Sequence, residues 1–395
     1  MKKILTQFNL FKKFLFKKTS ILPWVYFRII WGTLMLWEAL RYLHYNRVNR
    51  YFVQPEFFFK FHFFEWVNPL GADFMFMCYY IMVVSSIFII IGFLYRYSMF
   101  IFFITYTYTF LCAATNYNNH YYLTSLISGL MIFMPLGDYL SVDSKIFKVK
   151  KLVTYNFTKF LILFQFSILY LGAGLSKMNL DWMTGRPMDE WMADRDDVFF
   201  VEWIFESSFV QSLALIFKPL LGEDYLERFV GLGFSWVGLI LTSIAVPAVF
   251  MFKGKFKPFA IIFLFMFHIM NYFLFGIGIF PFIGMSTLLI FFGDDFFARL
   301  YYLLFNKKVP NSSKAPKQYK LDSVKPVFKT IFTIFVTVFC FWQIAFPFRH
   351  FLFSGTSGCN EECHNFAWHM KLRDKSSSKE AYFLAVDPGS KEEIR

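Results

Sequence analysis

Charged residues are scarce in this chain: Asp, Glu, Lys and Arg make up 17% of its 395 residues, against about 25% in ordinary soluble domains. Polar linkers are scarce too, and the only segment with the composition of a soluble linker is residues 306–325. In their place the chain has 57% hydrophobic residues, and 60 of its residues are Phe. This composition excludes a soluble globular protein and predicts an all-α integral membrane protein.

Nine apolar stretches predict a bundle of about nine transmembrane helices, each of which needs roughly 20 mostly apolar residues to span a bilayer. They cover residues 22–43, 74–94, 99–114, 121–136, 157–175, 229–252, 259–275, 277–292 and 327–346. The third and fourth are short, and Gly276 and Gly278 separate the seventh from the eighth as either a tight turn or a kink. Residues 198–221 are apolar but contain Glu202 and Glu206, which favours an interfacial or re-entrant helix over a tenth span.

The distribution of lysine predicts the orientation in the membrane. With nine spans and a cytoplasmic N-terminus, every lysine cluster before the last span falls inside, as the positive-inside rule requires. These clusters lie in residues 2–18, 145–151, 253–257 and 307–325, and they supply most of the net charge of +13. Because each cluster adjoins a span, we expect anionic lipid headgroups rather than nucleic acid as its partner. We therefore expect a multi-pass protein with its C-terminus outside, in the periplasm, the extracellular space or a lumen.

The same pattern divides the chain into three parts. Residues 1–20 are predicted to form a basic interfacial helix on the cytoplasmic leaflet, and residues 21–346 a transmembrane catalytic domain. Residues 347–395 form a short outward-facing tail, in which Ala367–Leu372 and Ala381–Val386 suggest one small β hairpin. The basic start runs directly into a span too long for a signal peptide, so no cleavable signal is expected.

Cysteine is also scarce, with five residues in the chain. Cys78, Cys112 and Cys340 lie within predicted spans and are expected to be packed there. Cys359 and Cys363 are one residue too far apart for a haem-attachment motif, and they lack the second cysteine pair of a zinc site. A local disulfide in an oxidising compartment is the best interpretation, and no metal site is predicted.

Ionisable residues at membrane depth are costly and are candidates for function. Glu38 and Arg41 lie one turn apart in the first span, and mutual pairing is the favoured interpretation. His120 follows Asn119 at the outer start of the fourth span, where the positive end of a helix disfavours a cation. A neutral imidazole there could relay a proton, and a simple helix cap flanked by a histidine at the headgroups explains the spacing equally well.

Lys177 follows the small residues that end the fifth span, Gly172-Ala173-Gly174-Leu175-Ser176. A lysine packed there is expected to have a lowered pKa, which would supply a neutral amine as a base. The bland alternative is a snorkelling lysine, although its side of the membrane is poor in lysine. His268 and Asn271 share a face of the seventh span, where an interhelical hydrogen bond is commoner than a ligand site.

Five runs of residues occur in an order that goes further than spacing. They are Asn118-Asn119-His120-Tyr121-Tyr122-Leu123, Ser141-Val142-Asp143, Tyr170-Leu171-Gly172-Ala173-Gly174-Leu175-Ser176-Lys177-Met178-Asn179-Leu180-Asp181-Trp182, His268-Ile269-Met270-Asn271 with Gly278-Ile279-Phe280-Pro281, and Phe348-Arg349-His350-Phe351 ahead of Trp368. Together they closely resemble the vitamin K-dependent gamma-carboxylase family and its short bacterial relatives, which share the horizontally transferred transmembrane domain. The resemblance extends from about Leu22 to Met370.

The resemblance implies an enzyme that couples oxygenation of reduced vitamin K, a phylloquinone or menaquinone hydroquinone, to the carboxylation of glutamate. By position, Lys177 matches the base that deprotonates the hydroquinone, and His120 with Asn119 matches the pair that assists proton transfer and carboxylation. His268 and Asn271 match residues lining the quinone pocket. Tyr170, Trp368 and His350 lie in motifs that adjoin the pocket. Oxygen and carbon dioxide would be co-substrates, and no metal is expected.

The implied partners are the lipid membrane, which in a bacterium would be the inner membrane, and a glutamate-containing peptide or protein. Animal carboxylases carry a large lumenal region where this chain has residues 347–395, and a second lysine where it has Ser176. One alternative function is that of a non-carboxylating quinol-dependent oxidoreductase or a quinone-binding protein with the same fold. Another is that of a transporter or scaffold whose polar residues are structural.

Overall fold

The computed structural model describes residues 2–148, 151–195, 197–245, 257–307, 324–352, 364–369, 385–386 and 393–394, and these residues are mostly helical. In chain order the α-helices are α1 (Lys2–Leu15), α2 (Leu22–His44), α3 (Ala72–Ile91), α4 (Tyr95–Leu111), α5 (Asn119–Ile132), α6 (Val142–Ile146), α7 (Asn156–Ser176), α8 (Leu180–Met183), α9 (Met188–Ala193), α10 (Phe199–Glu206), α11 (Ser208–Ile216), α12 (Lys218–Leu221), α13 (Tyr225–Ile240), α14 (Lys257–Phe275), α15 (Phe280–Leu288), α16 (Asp294–Phe305) and α17 (Pro326–Ala345). The strands are β1 (Lys18–Ser20), β2 (Val153–Tyr155), β3 (Ala385–Val386) and β4 (Glu393–Ile394).

The chain divides into two compact units. The first unit comprises Met1–Leu175 and Ile240–His369, and the second comprises Ser176–Leu239 and Met370–Arg395. The predicted boundaries after residues 20 and 346 stay predictions.

Several helices are candidates for crossing a membrane. Among the described residues, α3, α7 and the segment Pro326–Arg349, which contains α17, are long and apolar enough to do so. They coincide with the second, fifth and ninth predicted spans. Of the other predicted spans, α2 contains three charged residues, and α4 and α5 have 17 and 14 residues, which gives lengths of roughly 26 and 21 Å at 1.5 Å per residue. The count of nine therefore stays a prediction.

The structure answers one question that the sequence left open and gives the geometry of a second segment. The seventh and eighth predicted spans are separate helices, because Gly276 and Gly278 both adopt positive φ angles, +54° and +63°, and form a tight turn. Within residues 198–221, α10 and α11 meet at a break with a bend of 58°. That geometry fits either a broken span or a re-entrant loop, and the interfacial or re-entrant interpretation of the segment stays a prediction.

The basic N-terminal segment forms a helix over most of its predicted length. In α1, Phe11 and Phe14 pack edge-on against Phe160 of α7, with ring centroids 5.4 and 5.9 Å apart. Residues 18–20 are an exception to the prediction, because they form strand β1 and pair antiparallel with β2, with Thr19 opposite Thr154. This ladder joins the end of α1 to the start of α7.

A buried arginine ties together the ends of the α2–α5 bundle. Arg28 of α2 is fully buried and donates hydrogen bonds to the carbonyl oxygens of Leu136 and Leu140, both at 2.7 Å, and of Ile90, at 3.3 Å. These carbonyls belong to the last turn of α3 and to the segment after α5. The guanidinium thus donates to a carbonyl oxygen in the last turn of α3, where helical partners are lacking, and to two carbonyl oxygens of the segment after α5.

The run Ser141-Val142-Asp143 is a structural motif in the same region. The Ser141 hydroxyl accepts a hydrogen bond from the backbone N–H of Ser144 and caps α6. The carboxylate of Asp143 accepts hydrogen bonds from the backbone N–H groups of Leu94 and Tyr95 at 2.7 and 2.9 Å. It therefore satisfies the free N–H groups at the start of α4, where a negative charge is favourable.

The C-terminal tail departs from its predicted hairpin. Residues 365–368 form a turn, and Ala385–Val386 pairs antiparallel with Glu393–Ile394 instead of with Ala367–Leu372. Cys359 and Cys363 lie outside the described residues, so their disulfide stays a prediction. Among the described cysteines, Cys78 and Cys112 are buried and Cys340 is partly buried, as expected.

Candidate active site

The start of α5 places His120 and Asn119 in different surroundings. Asn118 is the helix N-cap, and its side-chain oxygen accepts a hydrogen bond from the backbone N–H of His120 at 3.0 Å. The Asn119 amide donates to the carbonyl oxygen of His369 at 2.5 Å and accepts from the hydroxyl of Tyr117 at 2.6 Å. Asn119 therefore anchors the turn that carries Trp368. Asn118 caps α5, so the His120 ring takes no part in capping.

Two imidazole rings of the first unit pack on the same phenylalanine. The His120 ring is partly buried and lies 3.9 Å from the ring of Phe280, centroid to centroid, with an interplanar angle of 32°. The His268 ring is fully buried and meets Phe280 edge-on, with centroids 5.9 Å apart. Phe280 is the first residue of α15, so the turn after α14 sets the position of both contacts.

The second imidazole is held from two sides. The hydroxyl of Tyr170, on α7, forms a short hydrogen bond with His268 Nε2. On the other side Gly284 of α15 lies so close that a Cβ at this position would overlap the imidazole ring. His268 Nδ1 is buried and has no hydrogen-bond partner among the described residues. Leaving such a polar group unpaired costs roughly 1–3 kcal/mol, so Nδ1 is a candidate contact for a ligand.

Trp368 packs against α5 and α7, the helices that carry His120 and Tyr170. Its indole is fully buried and stacks on Tyr122 of α5, with ring centroids 4.8 Å apart. A Cβ on Gly172 would lie 2.8 Å from the Cβ of Trp368, so the glycine lets the turn approach α7 closely. Gln343 of α17 donates to the Tyr122 hydroxyl at 3.2 Å. The turn at 365–368 thus contacts α5 and α7, and Gln343 of α17 holds the Tyr122 hydroxyl.

Lys177 belongs to the second unit and has a well-defined local setting. It follows the last residue of α7, is 7% exposed, and its Nζ lies 5.2 Å from the ring centroid of Trp182. The Trp182 indole N–H donates to the carbonyl oxygen of Ser235 at 2.8 Å. Asn179 caps α8 by accepting from the Trp182 backbone N–H and donates to the Ser176 carbonyl oxygen, both at 3.0 Å. These three hydrogen bonds fix the position of the Trp182 ring, which Lys177 faces.

Burial controls the ionisation of Lys177. Removal of the ammonium group from water lowers the pKa of Lys177 to about 8. Contact with the Trp182 ring acts in the opposite direction and favours the charged form by roughly 0.5–2 kcal/mol. About a tenth of the amine is thus neutral at pH 7, and the lowered pKa confirms the environment expected from the sequence.

The remaining predicted residues are less closely engaged. Asn271 lies one turn after His268 on α14 and is partly buried, and its side chain makes no hydrogen bond among the described residues. His350 lies in a 3₁₀ segment, Phe346–Leu352, and its side chain is outside what the structure describes. The expected pair of Glu38 and Arg41 is confirmed, with a nitrogen-to-oxygen distance of 2.6 Å.

Two site residues were not singled out from the sequence. Phe280 was noted only as part of a run, yet its ring is the surface on which both imidazoles pack. Gly284 gave one usable signal, since a glycine within an apolar helix marks a close approach of another group. What the sequence could not supply was the identity of that group, the His268 ring.

The fold defines a mostly helical protein with candidate membrane spans. The described residues include candidate membrane-spanning helices, a buried amine with a lowered pKa in the second unit, and a cluster of aromatic and histidine side chains in the first unit. Residues 16–296 match the HTTM domain, which is more than half of the chain, so the chain belongs to the HTTM domain family.

The family is narrowed by the C-terminal part. Residues 328–395 match the lumenal domain of vitamin K-dependent gamma-carboxylase. The two matches together place the chain in the vitamin K-dependent gamma-carboxylase family, a family of vitamin K-dependent carboxylases. The short tail thus corresponds to part of the lumenal region of that family. No solved structure matches the chain significantly.

Proposed function

We propose that this protein is a membrane-embedded carboxylase that couples the oxygenation of reduced vitamin K to the carboxylation of glutamate residues. The observation that carries the proposal is the buried amine of Lys177 with its pKa of about 8. A glutamate gamma carbon is too weak an acid for any side chain to deprotonate directly, whereas a phenolic hydroxyl of pKa near 10 is within reach of such an amine.

The overall reaction balances without a metal. The hydroquinone and O₂ yield the epoxide and water, so one oxygen atom of O₂ enters each product. Glutamate and CO₂ yield gamma-carboxyglutamate and a proton, as the gamma C–H bond breaks and a C–C bond forms. Oxygenation of the hydroquinone supplies the free energy, and the side chains bind, orient and move protons.

Each candidate side chain has a role within this scheme. Lys177, as a neutral amine, accepts the hydroquinone proton at Nζ. His120 relays a proton during carboxylation, and Asn119 maintains the turn beside it. The Tyr170 hydroxyl is hydrogen-bonded to His268 Nε2. This bond orients the imidazole ring and determines which of its two nitrogens carries the proton.

We infer that the quinone ring binds at the cluster formed by His120, His268, Phe280 and Tyr170 in the first unit. His268 Nδ1 is buried without a partner among the described residues and would pair with a quinone oxygen. Phe280, Tyr122 and Trp368 make the surroundings apolar and aromatic, and an apolar site excludes the water that would hydrolyse or reprotonate reactive species. Asn271 and His350 complete the proposed quinone-binding and substrate-binding set.

The surroundings of the protein are part of the proposal. The N-terminus faces the cytoplasm and the C-terminus faces outside, in accordance with the lysine distribution. The quinone and both gases reach the site from the bilayer, where apolar molecules concentrate, and the glutamate-containing peptide arrives from the outer side. In a bacterium the membrane would be the inner membrane.

The test is a membrane assay with reduced vitamin K, labelled bicarbonate and a glutamate-rich peptide, in which the epoxide and the labelled peptide are both measured. Membranes containing the Lys177→Ala variant serve as the negative sample. Lys218→Ala is the matched control, because Lys218 is a partly exposed lysine of the same unit, paired with Glu223. We expect both products from the wild type and from Lys218→Ala, and neither from Lys177→Ala. Epoxide without carboxyglutamate would instead identify a non-carboxylating quinol oxidoreductase, and the absence of both would favour a transporter or scaffold.

A further inference from the structure

Two neighbouring residues near the end of α2 reach two different parts of the candidate active site. Arg41 contacts the turn between α14 and α15, and Tyr42 contacts the start of α5. Those two segments carry Phe280 and His120, whose rings lie 3.9 Å apart.

The first contact depends on a buried ion pair. Arg41 Nη2 lies 2.6 Å from a carboxylate oxygen of Glu38, which is 3% exposed. The guanidinium is pressed against Gly278, where a Cβ would lie 2.9 Å from Nη2 and 3.1 Å from Nη1. Gly278 is two residues before Phe280 and has a φ of +63°. Glu38 therefore fixes the guanidinium, and the guanidinium fixes the turn that places Phe280.

The second contact is a hydrogen bond between two tyrosines. The Tyr42 hydroxyl donates to the Tyr121 hydroxyl at 2.9 Å, and Tyr121 directly follows His120 in α5. Tyr42 is 6% exposed and its ring stacks on Tyr79 of α3, with centroids 5.0 Å apart and an angle of 15°. The tyrosine ring is thus fixed by packing, and its hydroxyl fixes the first turn of α5.

Packing alone does not hold these groups. A cavity borders them and is lined by Glu38, Tyr42 and Tyr121 together with residues of α3 and α4. Side chains beside an empty volume have room to shift on that side, so directional polar contacts supplement the packing in defining their positions. An ion pair in an apolar helix is also a poor source of stability, because the loss of hydration offsets the attraction between the charges. The contacts are better explained by orientation than by stability.

We propose that Arg41, Tyr42 and Glu38 are positioning residues that hold the His120 ring against Phe280. The inference rests on the proposed function for its catalytic consequence, because it assigns the proton relay of His120 to a geometry set from α2. The structural part of the proposal, that these side chains fix the surroundings of the His120 ring, stands without the activity.

The test uses Tyr42→Phe and Arg41→Lys in the full-length protein in lipid nanodiscs. Tyr42→Phe removes one hydroxyl and keeps the ring, and Arg41→Lys keeps the charge and loses the planar contact with Gly278. The matched controls are Tyr45→Phe and Arg50→Lys, which alter exposed residues just beyond the end of α2. The first readout is the rate at which diethyl pyrocarbonate modifies His120, followed by mass spectrometry.

We expect His120 to be modified severalfold faster in both positioning variants and at the wild-type rate in both controls, with little change in melting temperature. Unchanged His120 reactivity in Tyr42→Phe and Arg41→Lys would overturn the proposal, as would an equal increase in the controls. Tyr42→Phe alone decides the matter if Arg41→Lys does not fold. Because this readout needs no turnover, a wild type that forms neither product would refute the proposed function and leave the positioning test intact.

The second readout is steady-state epoxide formation. A mutation far from the reacting atoms that misplaces a catalytic group by about 1 Å can lower the rate by about a hundredfold. We therefore expect kcat to fall by about tenfold to a hundredfold in both variants. The KM for the hydroquinone should stay at its wild-type value, since the groups proposed to bind the ring are unchanged. A rise in KM with unchanged kcat would contradict a positioning role.

Discussion

At the scale of single residues, the candidate chemistry depends on burial acting on a few ionisable groups. Lys177 keeps an aromatic partner that favours its ammonium form, yet burial still lowers its pKa to about 8. His120 and His268 pack on the same phenylalanine, Phe280, and the Tyr170 hydroxyl is hydrogen-bonded to His268. The partners of His120 and His268 come from distant parts of the chain, whereas Trp182 lies just after Lys177 in sequence. Each of these settings has a consequence that can be measured.

The pH dependence of epoxide formation should report Lys177. Below pH 8 the side chain is mostly protonated and cannot accept the hydroquinone proton; above pH 8 the free amine dominates. The rate should therefore rise with pH through a midpoint of about 8 and reach a plateau, as measured by initial rates from pH 6 to 9.5. A rate that falls with pH across that interval would be incompatible with a lysine base.

The replacement of His120 separates proton relay from helix capping. Since Asn118 caps α5 through the backbone N–H of residue 120, His120→Ala keeps the cap and should change thermal stability little. Loss of a proton-transfer group should lower turnover by about 10²–10⁴-fold. Asn118→Ala is the matched control, expected to cost about 0.5–2 kcal/mol of stability with a smaller effect on turnover. The reverse pattern in the two variants would favour a purely structural His120.

The residue-level predictions succeeded where local sequence determines the environment. Lys177 follows a run of small residues, and both its burial and its lowered pKa were foreseeable from that run. Glu38 and Arg41 paired as expected because one helical turn separates them. The partners of Asn119 and His268 could not be foreseen, since the His369 carbonyl and Gly284 come from distant parts of the chain.

At the scale of structural elements, caps and short ladders determine where the helices start. Asp143 accepts from two backbone N–H groups at the start of α4, although it belongs to α6. Arg28 accounts for the carbonyl oxygens at the end of α3 and after α5. The helices of the bundle are therefore linked end to end by side chains as well as by packing.

Asp143→Ala should weaken the start of α4. Two N–H groups lose their charged acceptor, so the free energy of unfolding should fall by about 0.5–2 kcal/mol. The matched control is Asp73→Ala, because Asp73 lies in the first turn of α3 and is exposed. Thermal unfolding in nanodiscs, followed by tryptophan fluorescence, should show a lower melting temperature for Asp143→Ala only. Equal melting temperatures for the two variants would refute the capping role.

Sequence predicted elements well where one long apolar run dominates, as in α3, α7 and α17. It failed for strand β1, whose partner lies more than 130 residues further along the chain, because a three-residue ladder leaves no periodic signal. It also left the Gly276–Gly278 segment undecided, and the positive φ angles of both glycines show a turn. Local propensity cannot choose between a kink and a turn when the outcome depends on how the following helix packs.

At the scale of the whole molecule, the two family matches cover residues 16–296 and 328–395. The resemblance found from the sequence runs was thus correct, and the lumenal-domain match extends it beyond Met370 to the end of the chain. The orientation in the membrane follows from lysine placement and can be tested without any activity.

The tail after residue 346 should lie outside. An impermeant maleimide should label Cys359 or Cys363 in intact cells, but only after mild reduction of their predicted disulfide. Lys145→Cys is the control, because residue 145 is exposed and lies in a predicted inside segment; it should react only after the membrane is opened. Protection of the tail cysteines until that point would reject the orientation, and labelling without reduction would reject the disulfide.

The central claim is that Lys177 removes the hydroquinone proton, and Lys177→Arg tests it most directly. Arginine has a similar length and keeps its charge at any accessible pH, so it cannot accept the proton. In the membrane assay the variant should form neither epoxide nor carboxyglutamate above background, while Lys218→Arg forms both at wild-type rates. A snorkelling lysine would tolerate the exchange. Appreciable epoxide formation by Lys177→Arg would contradict the role of Lys177 and the mechanism built on it.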